Sequence, residues 1–306
     1  MNHRVPPWLL LLLLALLCGA VIAGVAWQRG RTGSTAALLS RLPSDGAVIL
    51  YVDFKALRQA GAVSVLGAAK VSQAPEYRAL VDRTGFDYLN DLDSALISFH
   101  ISGTYFLLRG RFDWRNLNEY VTSQGGTCHN MLCRVSGSAT DRQISYFPLQ
   151  RNILALAVSP DEYAATQLQI RRPRQPMELP AQPVWSIIPV AALRSRDTVP
   201  AGTRMFVRAL VAANTVVLSA APSSQGWTIR MEASCRGPAE AGALAAELSA
   251  VTAQLRALIA REHVSPNPAD LSGVLAAGSF ESQGARVIGH WPVQRAFLQS
   301  LGGGTL

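Results

Sequence analysis

The chain has 306 residues, room for one large domain or two of ordinary size. Its apolar fraction of 49% fits a chain with a buried core, and its net charge of +8 is spread along the sequence rather than gathered. Three arginines fall in the first 31 residues with no acid beside them, and only two of the 28 basic residues are lysines, Lys55 and Lys70. The mild excess left in the rest of the chain forms no basic stripe, so no nucleic-acid partner is expected.

Residues 8–27 contain no charged side chain and include six consecutive leucines. At about 1.5 Å per residue this run reaches roughly 30 Å, the thickness of a hydrocarbon core. A helix satisfies its own backbone groups and so can cross lipid as a single segment. Trp8 and Trp27 end the run where indoles lie at headgroup level, and Arg29 and Arg31 follow as interface residues. Residues 1–31 are therefore read as a membrane anchor. Two other readings stay open: a cleaved signal peptide, and a lipoprotein acylated at Cys18, whose preceding Leu17 fits such a signal poorly. The positive-inside rule alone puts the large domain in the cytoplasm, because Arg29, Arg31 and Arg41 outnumber Arg4. Short N-terminal segments ahead of large domains act as signal-anchors, and this favours an extracytoplasmic domain on a single-pass inner-membrane protein.

Residues 32–46 read as a linker and 47–170 as a first α+β module. Within it a strand is expected over 47–54, a helix over 75–83 stopped by Gly85, and a hairpin over 94–111 turning at Ser102-Gly103. Asp113 caps a helix to about residue 122. Three strands follow near 132–136, 143–148 and 153–158. Ser159-Pro160-Asp161-Glu162 is a capping box that predicts a helix to about residue 170. Asp87, Asp91 and Asp93 lack the glycine and terminal glutamate of a calcium loop and read as turn and cap residues.

Residues 171–183, rich in arginine and proline, read as a second linker, ahead of a second α+β module over 184–301 and a tail over 302–306. Strands are expected near 184–188, 204–212, 215–221 and 227–235. A long helix starts at Pro238 with Leu244, Leu248, Val251, Leu255 and Leu258 on one stripe. A hairpin over 273–280 and 286–290 and a helix over 292–301 complete the module. Residues 50–58 parallel 186–194 at an offset of 136, and 152–168 parallel 285–301 at an offset of 133. These matches predict two related antiparallel-sheet modules, each with helices packed on one face.

Cys128 and Cys133 flank a four-residue turn, a spacing that suits a disulfide in an oxidising compartment. Free thiols and a small metal site with His129 remain open alternatives, and Cys235 reads as a buried small hydrophobe. His3, His100, His129, His263 and His290 fall in no metal or triad spacing. Trp114, Trp185, Trp227 and Trp291 read as packing residues. No phosphate loop and no nucleophile elbow occurs, so no cofactor and no catalytic residue is named.

The run at 42–54, the segment at 85–93 and Leu108-Arg-Gly-Arg-Phe-Asp113 together resemble a loose group of uncharacterised bacterial envelope proteins. The resemblance is strongest over 42–170. It implies one N-terminal membrane segment, a duplicated α+β ectodomain and an envelope location, and it assigns no functional residue. The expected function is a membrane-tethered, non-catalytic binding or scaffold module, with an envelope protein, lipid or glycan as partner. An envelope hydrolase assembled from distant residues is the alternative, and a lipid-binding or transfer protein the weaker one.

Overall fold

The computed structural model describes residues 34–63, 75–137, 139, 142–173, 178–194, 203–224, 226–262 and 265–303. The segment expected to be a membrane anchor, with Trp8, Trp27, Arg29 and Arg31, lies outside them. The fold is α+β and is built on one continuous antiparallel sheet of twelve strands.

In chain order the first half comprises α1 (Thr35–Leu39), β1 (Val48–Asp53), α2 (Phe54–Gln59), α3 (Pro75–Thr84), α4 (Tyr88–Asp91), β2 (Leu92–His100), β3 (Gly103–Gly110), α5 (Trp114–Ser123), β4 (Thr127–His129), β5 (Leu132–Ser136), β6 (Gln143–Gln150), β7 (Ile153–Ser159) and a 3-10 turn, Ala164–Gln169. The second half comprises β8 (Val184–Pro189), α6 (Val190–Leu193), α7 (Arg204–Leu210), β9 (Thr215–Ser223), β10 (Gly226–Ser234), α8 (Pro238–Arg261), α9 (Leu271–Ala276), β11 (Ser279–Gln283), β12 (Arg286–Gln294) and α10 (Arg295–Gly303). Four helices start on an aspartate whose carboxylate accepts a backbone N–H of the first turn. Asp53 takes Ala56 N at 2.7 Å, Asp87 takes Leu89 N at 3.0 Å, Asp113 takes Asn116 N at 3.1 Å and Asp270 takes Gly273 N at 2.8 Å. Gly85, at φ +68°, follows the α3 end as its position requires.

The strand order is β11-β12-β10-β9-β8-β1-β2-β3-β7-β6-β5-β4. The seam between the halves is the β1–β8 pair, so the expected two modules share a single sheet. Read outward from this seam, the order is β1-β2-β3-β7-β6 on one side and β8-β9-β10-β12-β11 on the other. The β4–β5 hairpin is an addition on the first side. The segments matched at offset 136 occupy β1–α2 and β8–α6, and those matched at offset 133 contain β7 and β12. Gly103 and Gly226, which open the equivalent strands β3 and β10, share φ +147°. A Cβ on Gly103 would meet Val158 O at 2.6 Å, and one on Gly226 would collide with Val293 O. Only glycine fits there.

Both faces of the central strands are apolar because both are covered. On one face Ile49, Leu96, Tyr105, Leu107, Trp185 and Ile187 pack with Leu38, Leu39 and Leu42 of the α1 segment and with Ala164, Ala165 and Leu168 of the 3-10 turn. On the other face Val52 and Ala95 pack with Phe54 and Leu57 of α2. Tyr146 and Leu154 there meet Val121 of α5. In the second half Phe206, Ala209, Leu244, Leu248 and Val274 bury against Val216, Met231, Val287 and Trp291. Helices α7 to α10 all contribute to that cluster. The opposite surface of β10 and β12 carries Glu232, which pairs with Arg286 at 2.8 Å and Arg230 at 3.7 Å.

Several boundaries differ from expectation. Residues 32–46 are not simply a linker: Ser34 caps α1, and Leu38, Leu39 and Leu42 are buried. The start of 171–183 is likewise docked. Arg172 N donates to Ser40 O at 2.6 Å, its guanidinium reaches Arg41 O at 2.5 Å, and Arg41 reaches Gln169 O at 2.7 Å. Leu179 packs on the same core. The strand expected over 204–212 is the helix α7, because Phe206 and Ala209, three apart, are the residues the core takes. Residues 273–276 belong to α9, capped by Asp270, and only Ser279 onward is strand. The capping box at 159–162 starts a 3-10 turn rather than an α-helix, since Ser159 Oγ accepts Asp161 N at 3.2 Å and donates to Ser102 O at 2.8 Å. Helices do not keep to one face in the first half, where α1 and the 3-10 turn cover the face opposite α2 and α5.

Candidate functional site

The β2–β3 hairpin ends in a two-residue turn, Ile101-Ser102, between the paired residues His100 and Gly103. The turn is fastened locally. Ser102 N donates to His100 Nδ1 at 3.2 Å, and Ser102 Oγ lies 2.8 Å from the same nitrogen and 2.9 Å from Tyr105 OH. Ser159, at the end of β7, holds the Ser102 carbonyl. The tight contact between Gly103 and β7 brings the two strand ends together.

A concave pocket of about 470 Å³ opens beside this turn. Phe99, Ile101, Phe106, Val158 and Pro160 give it apolar walls, and His100, Ser102, Thr104, Ser159 and Arg142 supply polar groups. Strand alternation sets Phe99, Thr104, Phe106 and Val158 on one face, since Phe99 pairs with Thr104 and Thr104 with Val158. Ile101 is 100% exposed and Phe99 47% exposed, although both are large and apolar. Among the described residues no carboxylate lines the pocket, and Arg142 is its one arginine or lysine. Among the described residues the Arg142 guanidinium has no ion pair.

His100 and Ser102 are adjacent, but no acid among the described residues joins them. With Nδ1 accepting the turn's N–H, the contact closes the hairpin. Among the described residues the lining contains no acid to orient the imidazole for general-base work.

Apart from His100, the candidate residues named from sequence lie elsewhere. Cys128 and Cys133 face each other across β4–β5 and are joined by a disulfide with Cα atoms 4.0 Å apart. The hairpin turns through Asn130 and Met131 at φ +49° and +66°, both in the left-handed region. Cys235 is a buried free thiol, which burial and Glu240 both push toward the neutral form. Asp87 and Asp91 form the α4 start, where Asp91 accepts Asp87 N at 2.9 Å and pairs with Arg111 at 2.9 Å. No group of three His, Cys, Asp or Glu side chains able to hold a metal occurs among the described residues. His129 and His290 line no pocket described here, and His3 and His263 lie outside the described residues. Trp185 stacks on Tyr51 with ring centroids 5.0 Å apart, and Trp291 is buried in the second-half core. Phe99, Ile101 and Arg142 had no motif to announce them. The one signal was an isoleucine where a hairpin turn ordinarily carries a polar residue.

Among known proteins the likeness is one of fold alone. No family model matches the chain, and no curated protein matches it. Crystal form III of TP0453 superposes with a TM-score of 0.50 at 10% identity, covering 87% of this chain and 97% of that one. Crystal form I of TP0453 gives 0.50 at 11% identity, covering 86% and 95%. The shared architecture spans nearly the whole of both chains.

Proposed function

We propose that this protein is a membrane-tethered, non-catalytic binding module of the bacterial envelope whose binding face is the β2–β3 tip. The observation that carries this reading is the exposure of Ile101 and Phe99 around a concave pocket. Exposed large apolar residues grouped at a cleft mark interaction sites, whereas scattered ones do not. The uncharged run at 8–27 supports the tether. The Cys128–Cys133 bond supports an extracytoplasmic domain, because such bonds persist in oxidising compartments. The equal strand order of the two halves and the matching offsets support a duplicated ancestor, in keeping with the resemblance over 42–170.

The test is photocrosslinking from position 101 of the full chain in its native membrane, with p-benzoylphenylalanine replacing Ile101. A discrete adduct that is lost when Phe99→Ser is added is the expected result. Absence of any adduct at 101, with adducts forming from a distant surface position such as Arg115, would sink the reading. Extraction by alkaline carbonate tests the tether separately: an anchored chain stays with the membrane.

A further inference from the structure

We infer that the pocket at the β2–β3 turn takes a single-chain amphiphile with an anionic head, a carboxylate or phosphate on an acyl chain, drawn from the aqueous compartment. This rests on the reading of the tip as the binding face and names its ligand class.

The volume of about 470 Å³ lies within the roughly 300–1,000 Å³ of small-molecule sites, and five apolar side chains form its walls. An acyl chain removes such surface from water at about 25 cal/mol per Å². The head is specified by charge. Among the described residues Arg142 is the pocket's one permanent charge, and no carboxylate opposes it in the lining. A guanidinium presents a planar fork that pairs two oxygens of one carboxylate or phosphate.

Phe99 belongs to none of the core clusters and stays 47% exposed, so its ring is open to a ligand.

The source follows from where the chain arrives. Thr35, next to the first described residue, meets the Tyr51 hydroxyl, as does Ser94. From the level of Ser94 to Ile101 the β2 direction rises about 23 Å. The pocket therefore opens at the end of the strands remote from the point where the chain arrives from residues 8–27, which favours a ligand from solution over one from the anchoring bilayer.

The experiment uses the full chain in phosphatidylcholine nanodiscs with a diazirine-bearing palmitic acid, and maps adducts by mass spectrometry. Labelling of the peptides carrying residues 99–106 and 158–160 is expected, competed by oleate and by dodecyl phosphate but not by dodecyltrimethylammonium. Arg142→Gln lowers this labelling at least fivefold, while Arg142→Lys retains most of it with an unchanged melting temperature. Labelling confined to residues 8–27, or equal competition by the cationic amphiphile, overturns the proposal. Adducts at position 101 to disc phospholipid, with none to the added acid, overturn the soluble source. A protein adduct from position 101 with no fatty-acid labelling overturns the amphiphile and leaves the binding face standing, whereas no adduct of any kind removes both.

Discussion

Leu50 of β1 and Ser186 of β8 are register partners at the centre of the sheet, and they are also equivalent positions of the two halves, 136 residues apart. A pseudo-twofold axis therefore passes between them, normal to the sheet. Ile49 opposite Ile187 and Tyr51 opposite Trp185 sit symmetrically about it. The seam is closed on one face by this apolar quartet, all of it within one core cluster.

The two glycines related by this axis are predicted to be equally intolerant of a side chain. Gly103→Ala and Gly226→Ala each introduce a Cβ against a carbonyl of the neighbouring strand at φ +147°. Each substitution should cost about 2–3 kcal/mol, read as a lower denaturant midpoint at unchanged slope. Gly125→Ala, at φ +80° with open space around it, should cost only the backbone term of about 1 kcal/mol.

Reduction of the Cys128–Cys133 bond, or Cys128→Ala with Cys133→Ala, should lower stability by about 2 kcal/mol, the loop-closure entropy of so short a ring. Thermal melts with and without reductant measure this. In alkylation of intact cells, Cys128 and Cys133 should be protected until reductant is added. Immediate modification would contradict an extracytoplasmic domain.

Met131→Gly is predicted to stabilise the β4–β5 hairpin by about 0.5–1 kcal/mol. Met131 is exposed and sits at φ +66°, so its side chain contributes strain with little compensating burial. A rise in melting temperature of the oxidised protein checks it. A fall would show that the thioether has a packing role.

Asp270 should contribute an acid-sensitive increment of stability. Its carboxylate accepts from Ser272 Oγ at 2.6 Å and Gly273 N at 2.8 Å, and these bonds hold its pKa below the ordinary aspartate value despite some desolvation. A depressed folded pKa gives stability that is present above the unfolded value of about 3.9 and is lost as pH falls through the folded one. Asp270→Asn should flatten the acid limb of the stability curve below about pH 4. At pH 7 Asp270→Ala should cost about 1 kcal/mol for the lost cap.

Much of the sheet was legible because its strands are regular and its turns are punctuated. Asp113, Gly85 and the 94–111 hairpin were readable from capping and turn chemistry alone. Residues 204–210 were not, since a short apolar run fits strand or helix, and the choice fell to a core that takes Phe206 and Ala209. Leu38, Leu39 and Leu42 looked like part of a spacer because their partners, Tyr105, Leu107 and Trp185, are far away in sequence. The same cause hid the candidate site. Arg142, Val158 and Pro160 reach Ile101 only through the β3–β7 pairing, and no local pattern records that meeting.

The place of β1 has a mechanical consequence. Tension entering at Ser34 passes through α1, which is keyed to the core by Leu38 and Leu39, into a strand with six register partners on β2 and four on β8. A pull on that end would load two ladders at once, one in each half, rather than peel a single edge. A domain tethered through that end would be hung from its middle.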